Sequence, residues 1–344
     1  MWIGALVLAA VILLGAVAGR YGPAAVADPG PRGINELRRV ELGGLLQWIS
    51  IRGRDVQNPV LLFLHGGPGS ANIAKLRIQC PGLEEHFVVV NWDQRGAGKT
   101  HTLRTAEAGL TMERLLDDTR QLVRYLRERF GGRKIYLMGF SAGSALGLTA
   151  VRDHPEDFLG YIGVGQIVKP AEGEKLSLEF ARRTAQETGN RKALEELAGI
   201  DPAYESADWY DALMRERGWL LKFGGVYRTA DNHNHEMQML LSAPEYSLLD
   251  FVWWPMGSGL SLRALWREVM RLNFFETAPR IDVPVVFLAG RYDYNTPSEL
   301  VQEYYERLEA PRGKRLIWFE ESAHDIFFDQ PGELVKELVK IRGE

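Results

Sequence analysis

From Val40 onward, short unbroken apolar runs alternate with longer amphipathic stretches. That rhythm constrains the fold more than any other feature of the chain. A run too short for a helix and apolar on every side chain is a strand buried on both faces. Strands of that kind, separated by helices, build a mostly parallel sheet with helices packed on both sides. The runs at 60–64, 87–91, 134–138, 161–164, 284–289 and 315–319 predict six such strands, and residues 40–51, broken by Gly43-Gly44, predict a hairpin ahead of them. Residues 111–130 place Leu115, Leu116, Leu122, Val123 and Leu126 at helical spacing behind Thr111 as N-cap; further helices are predicted over 142–152 and 331–341. Between 169 and 275 the alternation stops. Helical, aromatic-rich segments (176–188, 191–197, 209–221, 261–272) follow one another there without a convincing strand. The expected organisation is a core over 35–168 and 276–344 with an inserted helical cap over 169–275.

The length of 344 residues and the 46% apolar content suit one such domain with an insertion. The net charge of −4 and the lack of a basic cluster argue against nucleic-acid binding, which needs grouped cations to neutralise phosphates. The one cysteine, Cys80, excludes an intrachain disulfide and reads as a passive thiol. Residues 2–18 form an uncharged apolar run ended by Arg20, followed by a Pro- and Gly-rich linker over 21–34. The run is at the short limit for a membrane span and long for a signal-peptide core. Ala25-Val26-Ala27 resembles a signal-peptidase site, but Arg20, Arg32, Arg38 and Arg39 all follow the run and none precedes it. An uncleaved membrane anchor is therefore expected over 1–20, with export after cleavage as the alternative.

Residues 139–143 read Gly-Phe-Ser-Ala-Gly, between an apolar strand and a helix. A serine at such a turn sits at the apex of a strained backbone; Gly139 and Gly143 clear space around it, and the helix N-terminus behind it presents amides and a positive dipole end to a developing oxyanion. A serine hydroxyl needs a base, and the base an orienting acid. Of the seven histidines, His324 alone lies beyond the late strands, in the loop after 315–319. Asp293 follows the strand at 284–289, at the end where ligand chemistry gathers in open α/β sheets; Asp282 precedes that strand, and Asp325 is too close along the chain to orient His324. The expected triad is Ser141, Asp293 and His324. The glycine loop His65-Gly66-Gly67-Pro68-Gly69, straight after 60–64, makes the amides of Gly67 and Ala142 the expected oxyanion donors, with Gly66 and Phe140 at the substrate beside them. His65 reads as structural. Neither this loop nor Gly96-Ala97-Gly98-Lys99-Thr100 has the spacing of a phosphate-binding loop. Asp93 and Arg95 read as an ion pair bracing the loop near the site. The cap aromatics Trp219, Phe223, Tyr227, Phe251, Trp253 and Trp254 are candidates for lining an apolar substrate pocket, chiefly Trp253 and Trp254.

With these residues assembled, the chain resembles the proline iminopeptidase-like branch of the α/β-hydrolase superfamily. The resemblance rests on LHGGPGS (64–70), NWDQRGAGKT (91–100), GFSAGS (139–144), GRYDYNTP (290–297) and SAHDIFFDQP (322–331). It implies an α/β-hydrolase fold, peptidase or amidase activity on substrates with a free N-terminus, often proline, and neither a metal nor an organic cofactor. It also implies acidic cap residues that hold the substrate amine, and Asp231, in Ala230-Asp231-Asn232-His233, stands at the matching distance, with Asp250 a remote second. The chain departs from the branch at Phe140 and Ala142, where a Gly and a Trp are usual. The expectation is a serine hydrolase working through an acyl-enzyme on a small-molecule or short-peptide substrate. The alternatives are an esterase or lipase using the same triad on apolar acyl esters, and a non-catalytic ligand receptor.

Overall fold

The structure, a computed structural model, describes residues 29–101, 109–228, 238 and 243–343. The expected membrane segment over 1–20, most of the linker and Asp231 lie outside the described residues. Among the described residues no helix is long and apolar enough to cross a membrane.

Eight strands form one sheet: β1 (Ile34–Leu42), β2 (Leu45–Gly53), β3 (Val60–Leu64), β4 (Val88–Asp93), β5 (Ile135–Phe140), β6 (Phe158–Val164), β7 (Val285–Gly290) and β8 (Lys314–Phe319). Their order is β1-β2-β4-β3-β5-β6-β7-β8. The hairpin of β1 and β2 turns at Gly43-Gly44 and joins β4 antiparallel; every later pairing is parallel. The apolar runs read from the sequence are these central strands. Each of β3, β4, β5 and β7 is buried at every residue, as a strand covered on both faces must be.

One face carries α2 (Met112–Arg129), α3 (Ala142–Asp153) and α9 (Ser298–Arg307), whose Leu122, Leu126, Leu146, Leu148, Val301 and Tyr304 enter the larger core. The other face carries α1 (Lys75–Gln79), α10 (Ile326–Asp329) and α11 (Pro331–Arg342) through Leu76, Phe327, Leu334 and Leu338. Thr111 caps α2 as expected, its side chain accepting from Arg114 N–H. Between β6 and β7 run α4 (Pro170–Glu187), α5 (Arg191–Leu197), α6 (Trp209–Lys222), α7 (Leu248–Val269) and α8 (Phe274–Thr277). The first four share a core of their own around Leu178, Leu197, Leu213, Trp219 and Trp266. Helix α7 begins well before the expected start at 261: Ser247 and Asp250 form a capping box, and the helix continues through Pro255. Cys80 is buried, and burial pushes its thiol up to about 12, so it is inert.

Candidate active site

Ser141 follows β5 directly and opens α3, with φ 52° and ψ −123°. Among the described non-glycine residues only Ser141 and Tyr204 have positive φ. Such a conformation persists where surrounding bonds over-determine it. Here Ser141 N–H donates to Val164 O at 3.0 Å. Ser144 then fixes the far side: its N–H and Oγ both donate to Ser141 O, at 2.8 and 2.5 Å, and its Oγ accepts from Ile167 N–H at 2.9 Å. The flanking glycines are sterically required. A Cβ on Gly139 would meet Gly143 O at 2.6 Å, and one on Gly143 would meet Leu64 O at 2.2 Å.

His324 and Asp293 come together from the loops after β8 and β7. His324 Nδ1 stands 2.8 Å from Asp293 Oδ2. The other carboxylate oxygen accepts from the N–H groups of Asn295 and Thr296 at 2.9 and 2.8 Å, and Thr296 Oγ1 donates to Oδ2 at 2.9 Å. The carboxylate is thus locked, and it fixes the imidazole with Nδ1 inward and Nε2 available. The Phe140 ring packs on the imidazole at 4.9 Å with a 30° tilt. Gly165 backs the imidazole ring: a Cβ there would stand 2.8 Å from His324 Cε1. Neither Thr296, Ser144 nor Gly165 carries a local sequence signal for these roles. Asp325 has its carboxylate on another side chain. It pairs with the buried Lys75 at 2.7 Å, and the ammonium lies over the rings of Phe140, Phe327 and Phe328 at 5.3, 4.9 and 5.4 Å.

The loop after β3 is pressed against the serine. A Cβ on Gly66 would meet Ser141 Cβ at 2.9 Å, and Gly67, at φ +118°, has no room for one beside the Gly69 and Ser70 amides. His65 braces this loop. Burial lowers its pKa to about 4, against a weaker upward pull from its bond to Gly66 O. The neutral ring donates from Nδ1 to Gly66 O at 2.8 Å and accepts at Nε2 from Gln94 N–H at 3.2 Å. The expected Asp93–Arg95 ion pair does not form. Arg95 reaches across to Asp118 of α2 in a buried two-pronged bond at 2.7 and 2.9 Å, because α2 brings a carboxylate within its fork. Asp93 instead accepts from Tyr246 Oη at 3.0 Å and Lys99 N–H at 2.8 Å.

Ser141 and His324 open into a cavity of about 310 Å³ between the sheet and the cap helices. Gly66, Gly67, Phe140 and Ala142 line it, and so does Tyr227. The Ala142 amide opens α3 and belongs to the first turn, whose N–H groups have no partner within the helix. Trp253 and Trp254 do not line this cavity. Trp254 pins α7 to the core by donating to Ala71 O at 2.8 Å, and Trp253 faces His101 with ring centroids 6.4 Å apart. Asp250 is likewise committed elsewhere, to Lys99 and to the cap of its own helix. The acid that does reach the cavity was not legible in the sequence: Glu174 of α4, together with Arg217 of α6. Arg217 bonds Glu174 through Nη2 and Glu216 through Nη1. Burial raises the pKa of Glu174, opposed by Arg217 and reinforced by Glu216. Glu174 Oε2 faces no partner among the described residues.

The chain matches the family model of the α/β-hydrolase fold over residues 59–199. It is 33% identical over 308 residues to a probable aminopeptidase, YbaC, of Bacillus subtilis strain 168, an alignment covering 88% of this chain and 95% of that protein. It is 35% identical over 104 residues to a proline iminopeptidase of Neisseria gonorrhoeae, covering 30% of this chain and 31% of that one. Among solved structures it is similar to a proline iminopeptidase-related protein of Thermus thermophilus, with a TM-score of 0.63 at 22% identity over 90% of this chain and 98% of that one.

Proposed function

The chain belongs to the α/β-hydrolase fold family, in its proline iminopeptidase-like branch, and from that premise we propose that it is a serine aminopeptidase acting on short peptides and aminoacyl amides. His324 Nε2 takes the Ser141 proton as Oγ attacks the carbonyl carbon of the first residue. Asp293 holds the imidazole in one tautomer and stabilises the imidazolium. The oxyanion is received by the amides of Gly67 and Ala142; losing one such donor costs about 3 kcal/mol of transition-state stabilisation. The C–N bond breaks, the amine departs with the proton from His324, and a water activated by the same imidazole hydrolyses the acyl-enzyme.

The observation that carries an amine-bearing substrate is Glu174, a buried carboxylate in the wall of the cavity that holds Ser141. An apolar ester would leave Glu174 Oε2, the oxygen that Arg217 does not bond, without a partner, so the esterase reading is the weaker one. The similarity to a protein named as a probable aminopeptidase over most of both chains supports the same choice. Residues 2–18 serve in this reading as a membrane tether, tested by whether deleting them moves the protein from the membrane to the soluble fraction. The deciding experiment is a hydrolysis panel on the full-length protein, pairing leucine, alanine and proline amides with their N-acetylated forms and with short acyl esters. Turnover of free-amine amides, lost on N-acetylation, supports the proposal. Turnover of esters alone refutes it, and failure to react with a fluorophosphonate probe would favour a receptor.

A further inference from the structure

Three side chains form a charge cluster at the cavity: Glu174 and Arg217 line it, and Glu216, outside the lining, bonds to Arg217. Glu174 comes from α4, Glu216 and Arg217 from consecutive positions of α6. Glu174 is 6% exposed and Glu216 fully buried, and each has one oxygen on Arg217 and one, Glu174 Oε2 and Glu216 Oε1, without a partner. Two more buried polar atoms without partners stand beside them. Tyr204 Oη belongs to a residue at positive φ whose ring meets that of Trp266 edge-on at 5.8 Å, and Trp266, whose Nε1 is the other, lines the cavity. Of these four orphaned atoms, those of Glu174 and Trp266 belong to residues that line the cavity, and because unpaired polar groups are strongly disfavoured inside a protein, Glu174 Oε2 marks a place for a polar ligand group.

The sign of that group follows from a charge count. Two carboxyl groups share one guanidinium, so the cluster carries at most one negative charge that Arg217 does not balance; burial raises the pKa of both acids and works against that charge until a cation arrives. The other charged residues lining the cavity add no second one: Lys75 and Asp325 cancel as a pair, and Lys169 is positive. One ammonium balances the cluster; two do not.

We propose that Arg217 is a specificity-determining residue: by neutralising one of the two carboxylates, it limits the site to substrates with a free α-ammonium and an uncharged first side chain, and excludes lysine and arginine. This rests on the aminopeptidase reading above. The α-ammonium meets Glu174 Oε2, and the first side chain lies against the apolar wall of Leu213, Met214, Leu262 and Val269. With Glu174 taken by the α-ammonium, a cationic side chain meets in the same cavity the guanidinium of Arg217 and the ammonium of Lys169.

The test compares kcat/KM for leucine and lysine amides in the full-length wild type, Arg217→Gln and Arg217→Lys. The wild type should prefer leucine by more than about tenfold. Arg217→Gln frees the second carboxylate and should raise the lysine-to-leucine ratio by about tenfold or more, mostly through KM, whereas Arg217→Lys keeps the charge and the wild-type ratio. Should Arg217→Gln fail to fold, Glu216→Gln supplies the second readout: it removes the unbalanced negative charge, so KM for leucine amide should rise about tenfold. Equal use of lysine and leucine amides by the wild type overturns the proposal. So does a ratio that is the same in Arg217→Gln and Arg217→Lys, or an unchanged KM in Glu216→Gln. Hydrolysis of acyl esters with no amide turnover would sink the aminopeptidase reading itself, a different failure from these.

Discussion

Replacing Gly165 with alanine separates catalytic geometry from stability. Gly165 follows β6 at φ +52°, and a Cβ there would lie 2.8 Å from His324 Cε1, 2.9 Å from Nδ1 and 3.2 Å from Thr296 Oγ1. Ordinary Cβ contacts begin at 3.4 Å, so the imidazole edge has to retreat by about 0.6 Å. It cannot do so freely, because Nδ1 is tied to Asp293 and Phe140 packs on the ring. The left-handed backbone costs alanine about 1 kcal/mol. For a chain of this size that lowers Tm by about 2–4 °C. The ring displacement acts on the chemistry: misplacing a catalytic group by about 1 Å costs on the order of 100-fold, so about 0.6 Å predicts a loss of roughly tenfold in kcat. KM should change little, since the proposed function assigns the substrate ammonium to Glu174 on the cap and not to the imidazole. Steady-state kinetics on leucine amide, the rate of fluorophosphonate labelling and a thermal melt measure the three quantities on one preparation. A variant whose Tm falls as expected while kcat and labelling rate stay within about twofold of wild type would refute the placement of His324 as the base.

Ser141→Ala should abolish turnover without lowering Tm, and Asp293→Asn should cut kcat by about 10⁴ by favouring the wrong imidazole tautomer; a loss under about tenfold would point to another acid. Lys75→Met leaves the Asp325 carboxylate buried beside His324 without its cation, and should destabilise the fold by about 3–5 kcal/mol, with Asp325→Asn in the same chain restoring part of it; denaturant melts of the four proteins in that cycle check this. Burial raises the Asp93 pKa to about 7, against the opposing pull of Lys99 N–H and Tyr246 Oη. The folded protein therefore keeps a proton on Asp93 that the unfolded chain releases near pH 4, so this contribution to stability is complete below that pH and is lost as pH rises toward 7. The shift of about three units sets a ceiling of about 4 kcal/mol, and Asp93→Asn should gain in Tm relative to wild type between pH 5 and pH 8; a pH-independent difference would refute it.

The division between what the sequence made legible and what it did not follows from the range of the interactions. Strands β3, β5 and β7 were readable because burial on both faces forces the side chains to be apolar, a rule that acts on consecutive residues. Ser141, Asp293 and His324 were readable because each occupies the first turn after a strand, and the chain order of those strands restricts which loops can meet. The hidden start of α7 has a local cause. Pro255 lacks the N–H that a helix interior needs, so the pattern is cut there, although the aromatic residues before it belong to the same helix behind the Ser247 and Asp250 cap. Arg95 was paired with Asp93 because they are neighbours in sequence, but its fork is filled by Asp118, which α2 supplies from 23 residues away. The cluster of Glu174, Glu216 and Arg217 is the extreme case. On its own helix each reads as one more polar position of an amphipathic surface, and only the packing of α4 against α6 buries the two glutamates and brings Arg217 between them.

That contrast also explains why the chemistry and its selectivity differ in how far a family resemblance carries. The nucleophile, base and acid are held by strand ends and glycines whose geometry leaves almost no substitute: a single methyl at Gly139, Gly143 or Gly165 collides with backbone or with the imidazole. The cap imposes no such condition. Its helices need an apolar stripe and a compatible crossing, and a charge pair can be contributed from any position that faces the cavity. An acid can therefore reach the cavity from more than one cap helix, as Glu174 does from α4. Selectivity in this chain is a matter of which charges the cap leaves unbalanced, and that is set by pairs of residues far apart in sequence. Charge-swapping at Arg217 should accordingly change which substrates are taken while Ser141 still reacts with a fluorophosphonate at close to the wild-type rate; a parallel loss of both would mean that the cap cluster holds the catalytic loops in place rather than reading the substrate.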